Sequence, residues 1–269
     1  MTSSLLHPGI ILILFGLFIP LIKNRLITLL FPIASFIILF SLDSGTVVKL
    51  EYGNYELILL SVDKLSRLFS YIFLLILFAT AIFSINQDNK SEISSAFVYV
   101  GSSISVVLSG DLITLFIFWE IMAITSTIVI WSGSKQAYYP GIRYLAVHLL
   151  GGSILLIGII GYANTTGTLT FGLMSPDNIF SYFVLAGFLI NAGAPPFSSW
   201  IPDAYPSASW SGTVFLSAFT TKTAVYVLIV GYAGYQFLIY VGIFMIFYGI
   251  IFAILENDMR RILSYSIVN

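Results

Sequence analysis

Long apolar segments with few charges constrain the fold of this sequence more than any other feature. Most are close to the roughly 20 residues that an α-helix needs to cross the hydrocarbon core of a bilayer. Of the 269 residues, 9% are charged, whereas a soluble domain carries about 25%. The sequence therefore predicts an all-α fold, a polytopic transmembrane bundle of about nine helices. The predicted spans are Leu5–Ile22, Leu26–Leu42, Leu65–Ile85, Ser94–Ser109, Leu112–Trp131, Ile142–Ala163, Ile179–Ile201, Gly212–Val230 and Phe237–Leu255.

The polar segment Asp43–Glu56 lies between the second and third predicted spans. It contains glycine, and its apolar residues partly alternate with polar ones, as in a half-buried strand. We expect an extramembrane hairpin there.

Lysine and arginine are distributed unevenly between alternate loops, and the side richer in them usually faces the cytoplasm. With the N-terminus outside, seven of the eleven cations fall in inner loops and three in outer loops, and Lys222 falls inside a span. The inner cations are Lys23, Arg25, Lys90, Lys135, Arg143, Arg260 and Arg261, and the outer ones are Lys49, Lys64 and Arg67. This split predicts an N-out topology.

The sequence lacks the usual features of redox and nucleotide chemistry. It has no cysteine and only two histidines, which disfavours disulfides, Cys-ligated iron–sulfur clusters and bis-His haem. It has neither a G-x-G-x-x-G nor a Walker-type motif, and its net charge of −1 disfavours a nucleic-acid partner. We expect no cofactor, no metal site, and no redox or nucleotide chemistry carried by this chain.

Two ionisable residues fall near the centres of predicted spans, Glu120 in Leu112–Trp131 and Lys222 in Gly212–Val230. One charge at the centre of a membrane helix costs roughly 2.5–3.5 kcal/mol, so it is retained where it faces protein, a partner or a water-filled cavity. Such a group can take up and release protons, as a proton relay requires. The alternatives are a structural ion pair or a side chain that reaches the interface.

His148 lies within Ile142–Ala163, just before Gly151 and Gly152. Histidine titrates near neutral pH, which suits a proton relay. A hydrogen-bonded packing histidine is about as well supported by the sequence.

The predicted span Ile179–Ile201 contains Asn191 and then Pro195-Pro196, which cannot continue a helical hydrogen-bond ladder. Freed backbone groups at membrane depth are tolerated where they are buried in protein or line a cavity, as in the broken helices of transporters. We therefore predict a broken-helix site at Asn191, Pro195 and Pro196. A plain kink, or a helix that ends near Asn191, is the alternative.

Four ordered blocks between about residues 110 and 269 resemble one known family. The blocks are Phe118-Trp119-Glu120, Pro196-Phe197 with Trp200-Ile201-Pro202-Asp203-Ala204, Thr221-Lys222-Thr223-Ala224-Val225-Tyr226, and Asn257-Asp258-Met259-Arg260-Arg261-Ile262-Leu263-Ser264-Tyr265-Ser266. Together they are similar to the antiporter-like, proton-conducting membrane subunits shared by respiratory complex I (NADH-quinone oxidoreductase) and the Mrp-type multisubunit Na⁺/H⁺ antiporters, and most similar to the D-type subunit of the Mrp antiporters.

The resemblance implies roles for individual residues. Glu120 would be the proton-carrying carboxylate of the first five-helix inverted repeat, Lys222 would link it to the centre of the complex, and a helix would break between Asn191 and Pro196. The implied partners are other membrane subunits, the lipid bilayer, H⁺ and either Na⁺ or K⁺, and the implied location is the bacterial inner (plasma) membrane.

The sequence departs from the family in two respects. Many members have a lysine where this chain has Asn191. Lys222 and His148 are the two candidates to replace it, and we expect Glu120 to respond mainly to Lys222. The family also has about fourteen helices in two repeats. We therefore expect an N-terminal portion of a longer subunit, with N-terminal helices and the hairpin at 1–93, the first repeat at 94–230 and a truncated second repeat at 231–269. The competing function is a non-conducting remnant or a scaffold within such a complex.

Overall fold

A computed structural model describes residues 6–53 and 55–269. Leu5 of the first predicted span and Asn54 of the predicted hairpin lie outside this set. Twelve α-helices and one two-stranded sheet are present in the described part of the chain. They are α1 Pro8–Phe18, α2 Leu30–Ser41, β1 Val47–Tyr52, β2 Tyr55–Ser61, α3 Lys64–Phe83, α4 Lys90–Leu108, α5 Leu112–Trp131, α6 Tyr138–Thr166, α7 Ile179–Ala192, α8 Trp200–Ala204, α9 Trp210–Ala218, α10 Thr220–Gly231, α11 Gln236–Leu255 and α12 Met259–Val268.

The helices confirm the predicted polytopic bundle. Seven helical segments in the described residues are long and apolar enough to span a bilayer, counting α7 with α8 and α9 with α10 as one segment each. The first two predicted spans form shorter apolar helices, Pro8–Leu21 and Arg25–Ser41. The predicted span Gly212–Val230 differs most from the structure, because it forms two helices that meet at Phe219.

Short polar side chains set the starts of many helices by accepting hydrogen bonds from free backbone N–H groups in the first turn. Asp63 caps α3, Asn89 caps α4, Asp111 caps α5, Asn178 caps α7, Ser209 caps α9 and Asp258 caps α12. Placement of Asp63 and Asp111 at helix N-termini follows the boundaries expected from the sequence.

Helix α4 is the central helix of the bundle and packs against α1, α3, α5, α9 and α10. Nearly all of its residues are buried, although it is rich in serine. The hydroxyls of Ser102, Ser103 and Ser105 donate to backbone carbonyls one turn earlier, so they need no partner from other helices. A helix that does not face lipid can therefore carry the polar residues along which a buried hydrogen-bond path could run.

One end of the bundle, which we call the basic face, is formed by loops 22–25, 84–90, 132–137, 205–209 and 256–258. Arg25 forms an ion pair with Asp88 of the next loop on this face. Nη2 of Arg260 donates to the carbonyl oxygen of Ala208 at 2.8 Å. The loops predicted to lie on the cytoplasmic side thus come together.

The other end, which we call the hairpin face, is formed by 42–53, 55–62, 109–111, 167–178 and 231–235. Strands β1 and β2 are antiparallel, which confirms the hairpin and extends it to Ser61. The hairpin is joined to the bundle where Gly110 N donates to Ile58 O at 2.9 Å and Ile58 N donates to Asp111 Oδ2 at 2.7 Å. Which face lies in the cytoplasm stays a prediction.

Candidate functional site

Glu120 lies eight residues into α5, about 12 Å from the hairpin face at the helical rise of 1.5 Å per residue. Its side chain is half-buried and packs against Gly152 of α6. A Cβ placed on Gly152 would lie 2.0 Å from Oε1 of Glu120, so the absence of a side chain there makes room for the carboxyl group. Oε1 is buried and has no hydrogen-bond partner among the described residues.

Asn191 lies in the last turn of α7, about 18 Å from the start of the helix. It is completely buried, and its Nδ2 donates to Gly187 O at 3.3 Å. Its Oδ1 has no partner in the part of the chain that the structure describes. Asn191 Nδ2 would lie 3.3 Å from a Cβ on Gly151, so Asn191 packs against Gly151. Glu120 packs against Gly152, so the two side chains contact adjacent glycines of α6.

Helix α7 ends at Ala192, one residue after Asn191. Gly193 adopts a positive φ of 77°, a conformation that favours glycine, and closes the end of α7. Pro195 is half-buried and Pro196 is exposed, so they contribute little to the interior of the bundle. Their structural effect is to keep the helix from continuing. Trp200 Nε1 donates to Ile190 O at 3.2 Å and satisfies one freed carbonyl of the break.

Lys222 lies in the first turn of α10, immediately after a second break that the sequence did not reveal. Phe219, with φ of −116° and ψ of −61°, separates α9 from α10. Lys222 Nζ donates back across this break to Ser217 O at 2.9 Å and to Thr221 Oγ1 at 3.2 Å. The ammonium group thus binds a carbonyl that the interrupted helix leaves free.

Tyr99 of α4 holds the other side of the same break. Its hydroxyl accepts from Thr220 N at 2.8 Å and lies 2.7 Å from Thr220 Oγ1. Its ring packs edge-on against Phe219, with ring centroids 5.7 Å apart. Sequence reasoning missed Tyr99 because a lone tyrosine in an apolar span carries no signal of what its hydroxyl contacts.

His148 is buried within α6 and stacks on Tyr144, with ring centroids 3.9 Å apart. Its Nδ1 lies 2.9 Å from Tyr144 O, which can only accept, so Nδ1 carries the hydrogen and Nε2 is the acceptor in the neutral ring. Tyr144 also bonds through its hydroxyl to Ser126 of α5 at 2.8 Å. His148 therefore belongs to a polar cluster between α5 and α6, and both interpretations of it from the sequence remain open.

Neither Glu120 nor Lys222 takes part in any of the four ion pairs found among the described residues. A structural ion pair, one of the alternatives that the sequence left open, therefore does not stabilise Glu120 or Lys222 in the described structure. Instead, the segment from α5 to α10 contains buried polar atoms without a hydrogen-bond partner in the described part of the chain. These atoms are Thr114 Oγ1, Trp119 Nε1, Glu120 Oε1, His148 Nε2, Asn191 Oδ1, Ser198 Oγ, Tyr205 OH and Thr223 Oγ1. Buried polar groups of this kind generally bind ordered water.

Arg143, one of the predicted inner cations, forms a bidentate ion pair with Asp203 of α8, with N–O distances of 2.6 and 2.8 Å. The pair joins α6 to the segment after the broken helix and lies near the basic face. It accounts for both charges without a role in transport.

Glu92 is a further buried carboxylate that the sequence did not single out, because it lies among polar residues at the start of a span. It is completely buried, and its carboxylate accepts from Gln87, Ser209 and Ser211. No pattern in the sequence places Gln87 beside serines that follow more than 100 residues later.

The apolar spanning helices, the two broken helices and the ionisable residues at mid-depth define a polytopic integral membrane protein. A model of the NADH:quinone oxidoreductase/Mrp antiporter transmembrane family matches residues 109–269. The chain belongs to this family, which confirms the resemblance seen in the sequence.

Two curated relatives are NADH-quinone oxidoreductase subunit M of Pseudomonas aeruginosa and Na(+)/H(+) antiporter subunit A1 of Staphylococcus aureus. The first is 29% identical over 201 residues and the second 29% identical over 309 aligned positions. The matches cover 63% and 99% of this chain but 39% and 38% of the relatives, so the chain spans about two-fifths of their length. The finer assignment to the D-type subunit of the Mrp antiporters stays a prediction.

Two solved structures share the fold. The Mrp complex from Dietzia sp. contains a chain that superposes with a TM-score of 0.86 at 22% identity, covering 97% of this chain and 32% of that one. Respiratory complex I from Thermus thermophilus gives a TM-score of 0.81 at 19% identity, covering 97% and 62%. At these identities the likeness establishes the fold.

Proposed function

We propose that this chain conducts protons as a membrane subunit of a multisubunit monovalent cation/proton antiporter or of a complex I-like proton pump. The observation that carries the proposal is the half-buried carboxyl group of Glu120, which lies at mid-depth with one buried oxygen unpartnered among the described residues. A carboxyl group in this setting can gain and lose a proton without breaking a protein ion pair. Membership of the family supports the same interpretation.

In this proposal Glu120 carries the proton and Lys222 is the next charged group of the relay. His148 and Asn191 lie along the hydrated region that joins them, and Pro195 and Pro196 keep helix α7 from continuing beyond it. The exchanged ions are H⁺ and either Na⁺ or K⁺, the partners are other membrane subunits of the complex, and the location is the inner membrane of a bacterium.

Asn191 sets this chain apart from relatives that carry a lysine there. An amide holds water but carries no charge, so the cation that responds to the ionisation of Glu120 must lie elsewhere. Lys222 is our choice, because its helix α10 packs directly against α7, which carries Asn191. Since Glu120 and Lys222 form no ion pair in the described structure, we propose that they interact through the hydrated groups between them.

A second candidate function is a non-conducting scaffold, or a remnant, that packs against partner subunits. The observation that favours it is the neutral Asn191 in place of a lysine. The two candidates differ in one measurable respect, which is whether ion flux depends on Glu120.

The test is Glu120→Gln in membrane vesicles that contain the chain with its partner subunits. Glutamine keeps the shape of the side chain and cannot ionise, so we expect cation-driven proton flux to be lost while the amount of assembled complex stays the same. The matched control is Glu56→Gln on the hairpin, where an exposed carboxylate pairs with Lys49 at 2.9 Å and a near-neutral effect is expected. Normal flux in Glu120→Gln would exclude conduction through this site and support the scaffold.

A further inference from the structure

The carboxyl group of Glu92 is the most enclosed acidic group of the basic face, and the relay proposed above does not use it. The side chain is completely buried in the first turn of α4. Oε1 accepts from Ser211 Oγ at 2.5 Å, from Ser209 Oγ at 2.6 Å and from Gln87 Nε2 at 3.1 Å. Oε2 lies 3.2 Å from the same Gln87 nitrogen.

Hydroxyl partners let this cluster keep its hydrogen bonds in both protonation states. A serine hydroxyl can donate to a carboxylate, and after rotation of its hydrogen it can accept from a protonated carboxyl group. The contacts of Ser209 and Ser211 with Glu92 can therefore persist after Glu92 is protonated, with the carboxyl group as the donor in one of the two hydrogen bonds. Fixed donors alone, such as backbone N–H groups, would not allow this reversal.

A path from solution leads to the cluster. A surface cavity of about 460 Å³ opens on the basic face, and Ser209 and Arg260 are among its lining residues. Ser209 therefore lines this cavity, and its hydroxyl group donates a hydrogen bond to the carboxylate of Glu92. Gln87 is itself half-buried and borders the loop that carries the exposed Asp88.

The charges around the cluster are held in place. Arg260 of α12 approaches from the cavity side and donates to Ala208 O at 2.8 Å and Ser209 O at 3.3 Å. Lys90, near Glu92 on its own helix, turns away and donates to Ile22 O at 2.8 Å. Asp88, in the preceding loop, pairs with Arg25.

Arg260, Lys90, Asp88 and Arg25 are charged groups of the loops and helices packed around this carboxyl group. The same loops and helices also carry Lys23, Lys135, Glu256, Asp258 and Arg261. The N-termini of α4 and α9 also converge on it, with their partial positive charge.

Two helices connect the cluster to Lys222. Helix α9 begins at the Glu92 cluster and leads to Ser217, whose carbonyl accepts from Lys222, so six residues, about 9 Å, separate Ser211 from Ser217. On α4, Tyr99 lies two turns beyond Glu92 on the same face, about 10.5 Å along the helix. Its hydroxyl bonds to Thr220 at the start of α10.

We propose that Glu92 is a second proton-exchanging carboxyl group of this chain, which takes up protons from the cavity on the basic face through Ser209 and delivers them along α4 and α9 toward Lys222. The step is a transfer of H⁺ between hydrogen-bonded oxygens and water, with no change of oxidation state. The delivery part rests on the function proposed above, whereas proton exchange at Glu92 does not.

The experiment compares Glu92→Gln, Glu120→Gln and the control Asp88→Asn in the same vesicles. Asp88→Asn removes an equal charge four residues before Glu92, from a carboxylate that is 90% exposed and lies outside the cluster. Infrared difference spectra between acidic and alkaline buffer report the C=O stretch of each carboxyl group that takes up a proton. Flux is measured in parallel while the pH on the basic face is varied.

We expect Glu92→Gln to assemble, to lose one band from the infrared difference spectrum that Glu120→Gln retains, and to lower flux severalfold, most at alkaline pH on the basic face. An unchanged spectrum in Glu92→Gln would overturn the proposal, and so would unchanged flux. If Glu120→Gln left flux intact while Glu92→Gln lost its band, the proposed relay would fail but proton exchange at Glu92 would stand.

A second variant guards against misfolding of Glu92→Gln. Ser209→Gly removes the hydroxyl between the cavity and Glu92, and glycine is tolerated at the N-cap position that Ser209 occupies in α9. We expect lower flux with the carboxyl band still present. Flux equal to that of the unmodified chain would show that protons do not pass through Ser209 to Glu92 and would overturn the proposal.

Discussion

Substitution of Gly152 by alanine separates the position of the Glu120 carboxyl group from its chemistry. Gly152 lies in the interior of α6 and contacts Glu120 of α5. A Cβ at this position would lie 2.0 Å from Oε1 and 3.0 Å from Cδ of Glu120, and real Cβ contacts essentially never fall below 3.0 Å. The carboxyl oxygen must therefore move by about 1 Å or more.

The expected effects on stability and on transport have opposite signs. The clash falls on the far end of a flexible side chain, so it can be relieved by a change of rotamer. Alanine within a helix is favoured over glycine by about 0.5–1 kcal/mol, so the fold should be unharmed or slightly more stable. Misplacement of a reacting group by about 1 Å can cost on the order of 100-fold in rate, so flux should fall strongly.

The assay is cation-driven proton flux in vesicles, measured beside the thermal stability of the purified complex. Gly151→Ala is the matched control, because its Cβ would lie 3.1 Å from Ile190 Cγ2 and 3.3 Å from Asn191 Nδ2 and would need a shift of a few tenths of an ångström. We expect Gly152→Ala to lose flux with stability preserved and Gly151→Ala to keep most of it. Full flux in Gly152→Ala would refute the argument that the carboxyl position matters.

Two further substitutions test the helix breaks. Lys222→Gln removes the charge and leaves an amide that can still donate to Ser217 O. We therefore expect the complex to assemble, with most of its flux lost and the pH dependence of the remaining flux altered. An unchanged pH dependence of flux would contradict coupling of Lys222 to Glu120. Asn191→Ala removes one weak hydrogen bond to Gly187 O, with an expected stability cost of about 0.5–1.5 kcal/mol, and removes the buried Oδ1 that we propose binds water. A clear loss of flux in a folded complex is expected, and flux equal to that of the unmodified chain would place the relay elsewhere.

The membrane architecture could be predicted from the sequence because the bilayer imposes a length and a polarity on each span. The hairpin followed from local chemistry, and helices α3 and α5 begin within one residue of the predicted span starts Leu65 and Leu112. The break after Asn191 was equally local, because proline cannot donate a backbone hydrogen bond. These features depend on residues close together in the chain.

Features that depend on distant residues could not be predicted. The break at Phe219 has no proline or glycine beside it and is held by Tyr99 from α4 and by Lys222. Burial of Glu92 arises because Ser209 and Ser211 come to lie over it from α9. Glu92 lies two residues before the predicted span Ser94–Ser109, and nothing in the sequence alone distinguishes it from an exposed loop charge.

The two helix breaks together explain why the charged group of the relay should be Lys222. Helix α7 begins on the hairpin face and α9 begins on the basic face. Asn191 lies about 18 Å along the helical path from the start of α7, and Lys222 lies about 18 Å from the start of α9. Both breaks therefore fall at mid-depth. At one break Asn191 supplies a neutral amide oxygen, and at the other Lys222 supplies a positive charge bound to a free carbonyl. A proton arriving at Glu120 changes the local charge by one, and of the two breaks the one before α10 carries an ionisable side chain. We therefore expect the response to ionisation of Glu120 to fall on Lys222 in this chain, and the double variant Asn191→Lys with Lys222→Asn to move the response to the end of α7.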